Sequence, residues 1–271
     1  MFRTRLISGI VLVLLALVFI INGGWVLWTV SLILSLIGLM ELYRVFQIHN
    51  TELGLTGYGL TAVYYLLLAS AIAFDVPINW LLYVMIVMMV FLLIMVNRYP
   101  KFHSSQIMQA IFGVLYVGVM FSFLYQTRML PNGTYTVWLI FISSWGCDTC
   151  AYCVGKLIGK HKMSPVLSPK KSVEGAVGGV AGTMLLTYIY ARIFAVQMDI
   201  THTQVCILTA ISAAGALISM VGDLTASAIK RNYDVKDYGK LIPGHGGVLD
   251  RFDSVIFTAP VIYFLAYYFM K

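Results

Sequence analysis

Charge is what this chain has least of. Only 11% of its 271 residues are Asp, Glu, Lys or Arg, against roughly 25% in a soluble domain. With 60% hydrophobic residues and a mean hydropathy of +0.88, an ordinary globular fold in water is excluded and lipid must be the main solvent. Cysteine is also scarce: four residues, of which Cys147, Cys150 and Cys153 lie inside an apolar stretch. That is no secreted disulfide framework, and the thiols read as reduced and helix-packing. Polar alternation is missing from the apolar runs, which excludes a β-barrel and leaves helices as the spanning element. No small-residue cleavage site follows the first run, so it reads as a retained helix. No inverted repeat of the transporter kind is visible.

What is there is a series of nine apolar runs: Leu6–Ile21, Val26–Leu42, Tyr58–Phe74, Trp80–Val96, Ala110–Tyr125, Tyr135–Tyr152, Gly175–Val196, Gln204–Leu224 and Val255–Met270. They predict an all-α integral membrane protein of about nine transmembrane helices. With the N-terminus, including Arg3 and Arg5, placed in the cytoplasm, all Lys and Arg residues fall inside except Arg128, Arg192 and Lys271. This bias puts the C-terminus outside. The net charge of +7 is then largely topological, and nucleic acid is not an expected partner. Trp25, Trp28, Tyr58, Trp80, Tyr99 and Tyr135 sit near span ends, as interfacial aromatics do.

The chain is asymmetric. Residues 1–130 carry short, bland connections and read as a scaffold with a candidate oligomer interface. Residues 131–271 carry two long polar loops, 155–174 and 223–254, both expected in the cytoplasm. Small-residue faces, Gly175, Gly178, Gly179 and Gly182 and then Ser212, Gly215 and Ser219, read as close helix packing that allows a homodimer without demanding one.

Chemistry concentrates in the loops. If the eighth helix runs past the membrane, Asp223, Ser227 and Lys230 share one face, with Arg231 beside them. Then follow Lys236, Asp237, Lys240, a Pro-Gly turn, His245, Gly246, Gly247, Asp250, Arg251 and Asp253. Glycines let backbone amides approach an anion. Asp250 and Asp253, three apart, suit a hard cation such as Mg²⁺, and the Lys and Arg side chains suit phosphates. In the earlier loop, Ser168-Pro169 reads as a helix start, Ser as N-cap and Pro in the first turn, which would put Lys170 and Lys171 at free amides able to hold a phosphate. Asp148, inside the sixth span, is costly facing lipid and should face a cation or polar cavity.

The run Ser227-x2-Lys230-Arg231-x4-Lys236-Asp237-x-Gly239-x2-Ile242-x-Gly244-His245-Gly246-Gly247-x2-Asp250-Arg251-x-Asp253 resembles the signature of the phosphatidate cytidylyltransferases, the CDP-diacylglycerol synthases. The stretch Asp148-Thr149-x-Ala151-Tyr152-x2-Gly155-Lys156, continuing through Ser168-Pro169-Lys170-Lys171-Ser172 to Glu174-Gly175, is similar to that family's upstream loop. Together the two cover about the C-terminal half.

The resemblance implies a multi-pass enzyme of the cell inner (cytoplasmic) membrane. It would transfer CMP from CTP to phosphatidic acid in the cytoplasmic leaflet, release pyrophosphate and need Mg²⁺, with room for a second cation. In that reading Asp223, Asp250, Asp253 and Asp148 hold metal, and Asp223, Asp250, Lys230, Arg251 and His245 are catalytic. Ser168, Lys170, Lys171, Ser227, Arg231, Lys236, Asp237, Lys240, Gly246 and Gly247 bind substrate. The competing readings are a CTP-dependent lipid or polyprenol kinase and an ion-coupled transporter with Asp148 and Asp223 in its path.

Overall fold

The computed structural model describes residues 2–74 and 79–270, with side chains from Ser8 onward. The side chains of Arg3 and Arg5, and Lys271, lie outside the described residues. Among the described residues the chain forms nine long helices: α1 (Phe2–Asn22), α2 (Gly24–Val45), α3 (Glu52–Phe74), α4 (Trp80–Asn97), α5 (Ser104–Arg128), α6 (Gly133–Ile158), α7 (Val173–Ile193), α8 (His202–Asn232) and α9 (Leu249–Phe269). It is an all-α membrane protein. Helices α2 to α9 have the length and hydropathy to cross a bilayer; α1, expected as a further span, contributes the shorter apolar stretch Ser8–Asn22. Two stretches are π-helical, Val114–Val119 in α5 and Ile142–Gly146 in α6.

One element departs from the helical pattern. Strands β1 (Lys162–Ser164) and β2 (Ser168–Ser172) pair antiparallel, Lys162 opposite Ser172 and Ser164 opposite Ser168. The expected helix start at Ser168-Pro169 is therefore corrected: α7 begins at Val173, and its N-cap is Ser172, whose Oγ accepts from the Gly175 amide at 3.1 Å. The decisive contact is long-range. Glu174 accepts the amides of Lys160 (3.0 Å) and His161 (3.2 Å), and Val173 N–H donates to the His161 carbonyl, so residues 162–172 are drawn into a hairpin before the helix can start.

The chain divides into two compact units: residues up to Ser122 with Tyr233–Arg251, and Phe123–Asn232 with the residues from Phe252. In the first, fully buried Tyr43 of α2 packs where Gly57 of α3 and Gly113 of α5 leave it room, and its hydroxyl donates to the Ala110 carbonyl at 2.6 Å. Hydroxyls in hydrocarbon need such partners, and the neighbouring tyrosines have them: Tyr65 with Ser35 at 2.7 Å, Tyr64 with Ser122 at 2.9 Å. Helix α4 buries a single stripe, Tyr83, Val87 and Phe91, and leaves its other faces apolar and exposed, as a lipid-facing helix should.

In the second unit α6 and α7 cross at small residues. A Cβ on Gly178 would strike Val154, one on Gly182 the Cys150 thiol, and one on Gly179 the Cys147 thiol. Cys147 and Cys150 therefore do fill a helix interface; all four cysteines are free. Helix α8, with 31 residues, is about 46 Å long at 1.5 Å per residue, longer than the roughly 30 Å hydrocarbon core. Its basic last turn, Lys230 and Arg231, accordingly extends beyond the apolar stretch.

Candidate functional site

In the second unit the expected residues converge on a cavity of 470 Å³ lined by Asp148, Lys156, Lys170, Lys171, Ser172 and Asp223, with Met163 and Met220 among the apolar wall. The two lysines differ in exposure: Lys170 is exposed, while Lys171 is half-buried and forms an ion pair with Asp223 of α8. Burial alone would lower the pKa of Lys171. Contact with Asp223, reinforced by Asp148 and Asp253, outweighs that and holds it above its ordinary value. Three carboxylates thus act on one ammonium.

Asp253, early in α9, is 7% exposed and accepts the Ser254 amide. Ser227 and Lys230 follow Asp223 on α8 at i+4 and i+7, partly buried, with Arg231 exposed, so the helix does run on and the shared face exists. Ser168 opens β2, partly buried, opposite Ser164. Neither Lys170 nor Lys171 stands at a free helix terminus, because the first amides of α7 belong to Ser172 and the hairpin.

The first unit holds the rest. Lys236, Asp237, Lys240, His245, Gly246 and Arg251 line a cavity of 540 Å³. Its wall is a tight turn: Ile242 N–H donates to the Gly246 carbonyl at 2.8 Å and His245 N–H to the Ile242 carbonyl at 2.9 Å. Gly244 and Gly246 take φ of 76° and 87°, a region L side chains avoid. Asp250, 7% exposed, folds back on this turn, its Oδ2 accepting the amides of Tyr238 (2.8 Å) and Gly247 (2.9 Å). The Gly247 amide, expected to face an anion, is thus occupied by a carboxylate of the protein. The side chains of Lys236, Lys240, His245 and Arg251 line the same cavity.

Two residues of this region escaped the sequence reading. Ser8 of α1 places its Oγ 2.7 Å from His245 Nδ1 while donating to the Pro243 carbonyl at 3.1 Å. With its hydrogen so used, it suits an Nδ1–H donor from the imidazole. Glu41 of α2 is 2% exposed, and its two carboxylate oxygens accept the Val248 and Leu249 amides at 3.1 and 2.8 Å. A signal for Glu41 was present: an acid within an apolar span marks a functional position by default. Ser8 carried none.

Among the described residues no three His, Cys, Asp or Glu side chains form a group that could hold a metal ion as they stand. The donors around Lys171 are nonetheless all carboxylate oxygens, the ligand type of Mg²⁺ and not of a soft metal. In kind, Asp148, Asp223 and Asp253 fit a hard divalent cation.

Residues 3–269 match the cytidylyltransferase family. Three relatives named phosphatidate cytidylyltransferase are similar along nearly their whole length. That of Staphylococcus saprophyticus is 31% identical over 262 residues, 96% of this chain and 97% of that protein. That of Staphylococcus aureus (strain COL) is 32% identical with the same coverage. That of Staphylococcus epidermidis (strain ATCC 35984) is 30% identical over 263 residues.

Proposed function

This chain belongs to the cytidylyltransferase family, and from that premise we propose that it transfers CMP from CTP to phosphatidic acid, forming CDP-diacylglycerol and pyrophosphate. The observation that carries the reading is the Lys171–Asp223 pair, which joins the upstream loop to α8 in a cavity that Asp148 also lines. An oxygen of the phosphatidate phosphate attacks the α-phosphorus of CTP, the bond to the β-phosphate oxygen breaks, and pyrophosphate carries the electron pair away. With a second phosphate pKa near 6, the monoester is already ionised at neutral pH and needs no dedicated base. The barrier is one of bringing like charges together in line, so cations and alignment supply the catalysis.

Lys170 and Lys171 would draw phosphate oxygens into the first cavity, and Ser168, Ser227, Lys230 and Arg231 would add further phosphate contacts. Lys236, Lys240, His245 and Arg251 would grip phosphates in the second. Asp148, Asp223 and Asp253 would hold Mg²⁺, which when bound offsets the negative charge of the phosphates. Asp250 would keep the His245 turn in shape. The distribution of basic residues supports a cytoplasmic position for both polar loops, where CTP meets a lipid whose acyl chains stay in the leaflet.

The test is incubation of purified protein with CTP, phosphatidate and Mg²⁺, following both products. CDP-diacylglycerol with stoichiometric pyrophosphate is expected. Release of CDP with a phosphorylated lipid would make the protein a kinase, and no lipid product would end the proposal.

A further inference from the structure

Glu41 is buried in an apolar helix, where an unpaired carboxylate would be costly, and both its oxygens are taken up by backbone amides of residues more than 200 positions away. Of these, Leu249 opens α9 and Val248 immediately precedes it. A helix leaves its first N–H groups without intrahelical partners, and a Ser, Thr, Asp or Asn just before it commonly supplies the acceptor. Here the preceding residues are Gly246, Gly247 and Val248, none with an accepting side chain. Glu41 supplies it from α2, its negative charge also suited to a helix N-terminus.

The glycines around it are spaced for the same carboxylate. A Cβ on Gly239 would collide with Glu41 Oε1, and a Cβ on Gly247 with both oxygens. A Cβ on Gly246 would meet Asp250 Oδ2 at 2.8 Å. One loop is therefore clamped by two carboxylates: Asp250 on the Tyr238 and Gly247 amides, Glu41 on the next two amides along the chain. Both oxygens of Glu41 are committed to the backbone, which leaves it a poor acid, base or metal ligand.

We infer that Glu41 is a positioning residue, holding the Gly239–Asp250 segment in the shape that presents Lys240 and His245 to the 540 Å³ cavity, beside Arg251 of α9. The activity readout rests on the proposed CMP transfer; the structural readout does not. In full-length protein in detergent, Glu41→Gln keeps the volume but turns an NH₂ donor toward an amide donor. Glu41→Asp keeps both acceptors on a stem one methylene shorter.

Hydrogen–deuterium exchange without substrate should be at least tenfold faster in peptides covering residues 239–250 of Glu41→Gln, with α7 and α8 unchanged. Its kcat should fall at least tenfold, and Glu41→Asp should lie between it and wild type in both. Unchanged exchange in that segment, equal acceleration in every helix, or a loosened loop with wild-type kcat and KM would each overturn the inference. A wild-type protein that makes no CDP-diacylglycerol would end the proposed function while leaving the exchange comparison decisive for Glu41.

Discussion

Removing one partner of the Lys171–Asp223 pair tests the architecture of the first cavity. The two side chains are 27% and 28% exposed, so the pair sits between two regimes. Exposed ion pairs contribute at most about 1 kcal/mol, whereas breaking a buried one leaves an uncompensated charge and costs about 3–5 kcal/mol. Lys171→Met leaves Asp223 without its cation beside Asp148 and Asp253, and about 2–3 kcal/mol of destabilisation is expected. At roughly 2–4 °C per kcal/mol for a chain of this size, the melting temperature in detergent should fall by about 5–10 °C. Asp223→Asn should cost less, about 1 kcal/mol, because Lys171 retains two acidic neighbours.

The double variant removes both charges and should be more stable than the summed single effects by about 1–2 kcal/mol. Thermal unfolding of wild type, both singles and the double supplies the cycle. Additivity within about 0.5 kcal/mol would refute the coupling and with it the shared cavity as the carrier of the site.

Other substitutions probe the remaining parts. Asp250→Asn should leave a folded protein by gel filtration but lower CTP-dependent product at least a hundredfold, since charge-assisted bonds to the Tyr238 and Gly247 amides are lost; near wild-type turnover would rule out its role. Lys170→Ala should raise the apparent KM for CTP or phosphatidate severalfold with the melting temperature unchanged, because Lys170 is exposed and lines the cavity; unaltered KM for both substrates would count against it. Gly178→Ala drives a methyl onto the Cβ of Val154, at 2.5 Å. Because Val154 cannot swing its Cβ away, the variant should lose about 1–3 kcal/mol, and a melting temperature equal to wild type would contradict the α6–α7 crossing.

The helical spans were legible because the rule that makes them is local. Backbone groups in hydrocarbon must pair within their own segment, so Trp80–Val96 reads as a helix from its residues alone, and the structure has Trp80–Asn97. The glycine faces of α7 were legible too, since close helix approach in lipid requires small side chains. Other features depended on which acceptor an amide meets once the chain has folded, a choice that local residue preferences do not make. Ser168-Pro169 has the local chemistry of a helix start, yet Glu174 captures the Lys160 and His161 amides and turns the segment into a strand. Glycines before an Asp suggested amides open to a phosphate, but which acceptor the Gly247 amide finds depends on how Asp250 folds back over the turn.

Composition, periodicity and motif spacing by themselves determined an all-α membrane protein, the two loops that carry its polar chemistry, and a likeness to cytidylyltransferases. Hydropathy and spacing are properties of neighbours in the chain, and a nonpolar solvent leaves few alternatives. Only the tertiary structure decided that Lys171 meets Asp223, that Ser8 reaches His245, and that Glu41 closes the start of a helix more than 200 residues away. A buried charge or an orphaned amide takes whatever partner the packed helices bring within reach, and that partner is chosen by the fold.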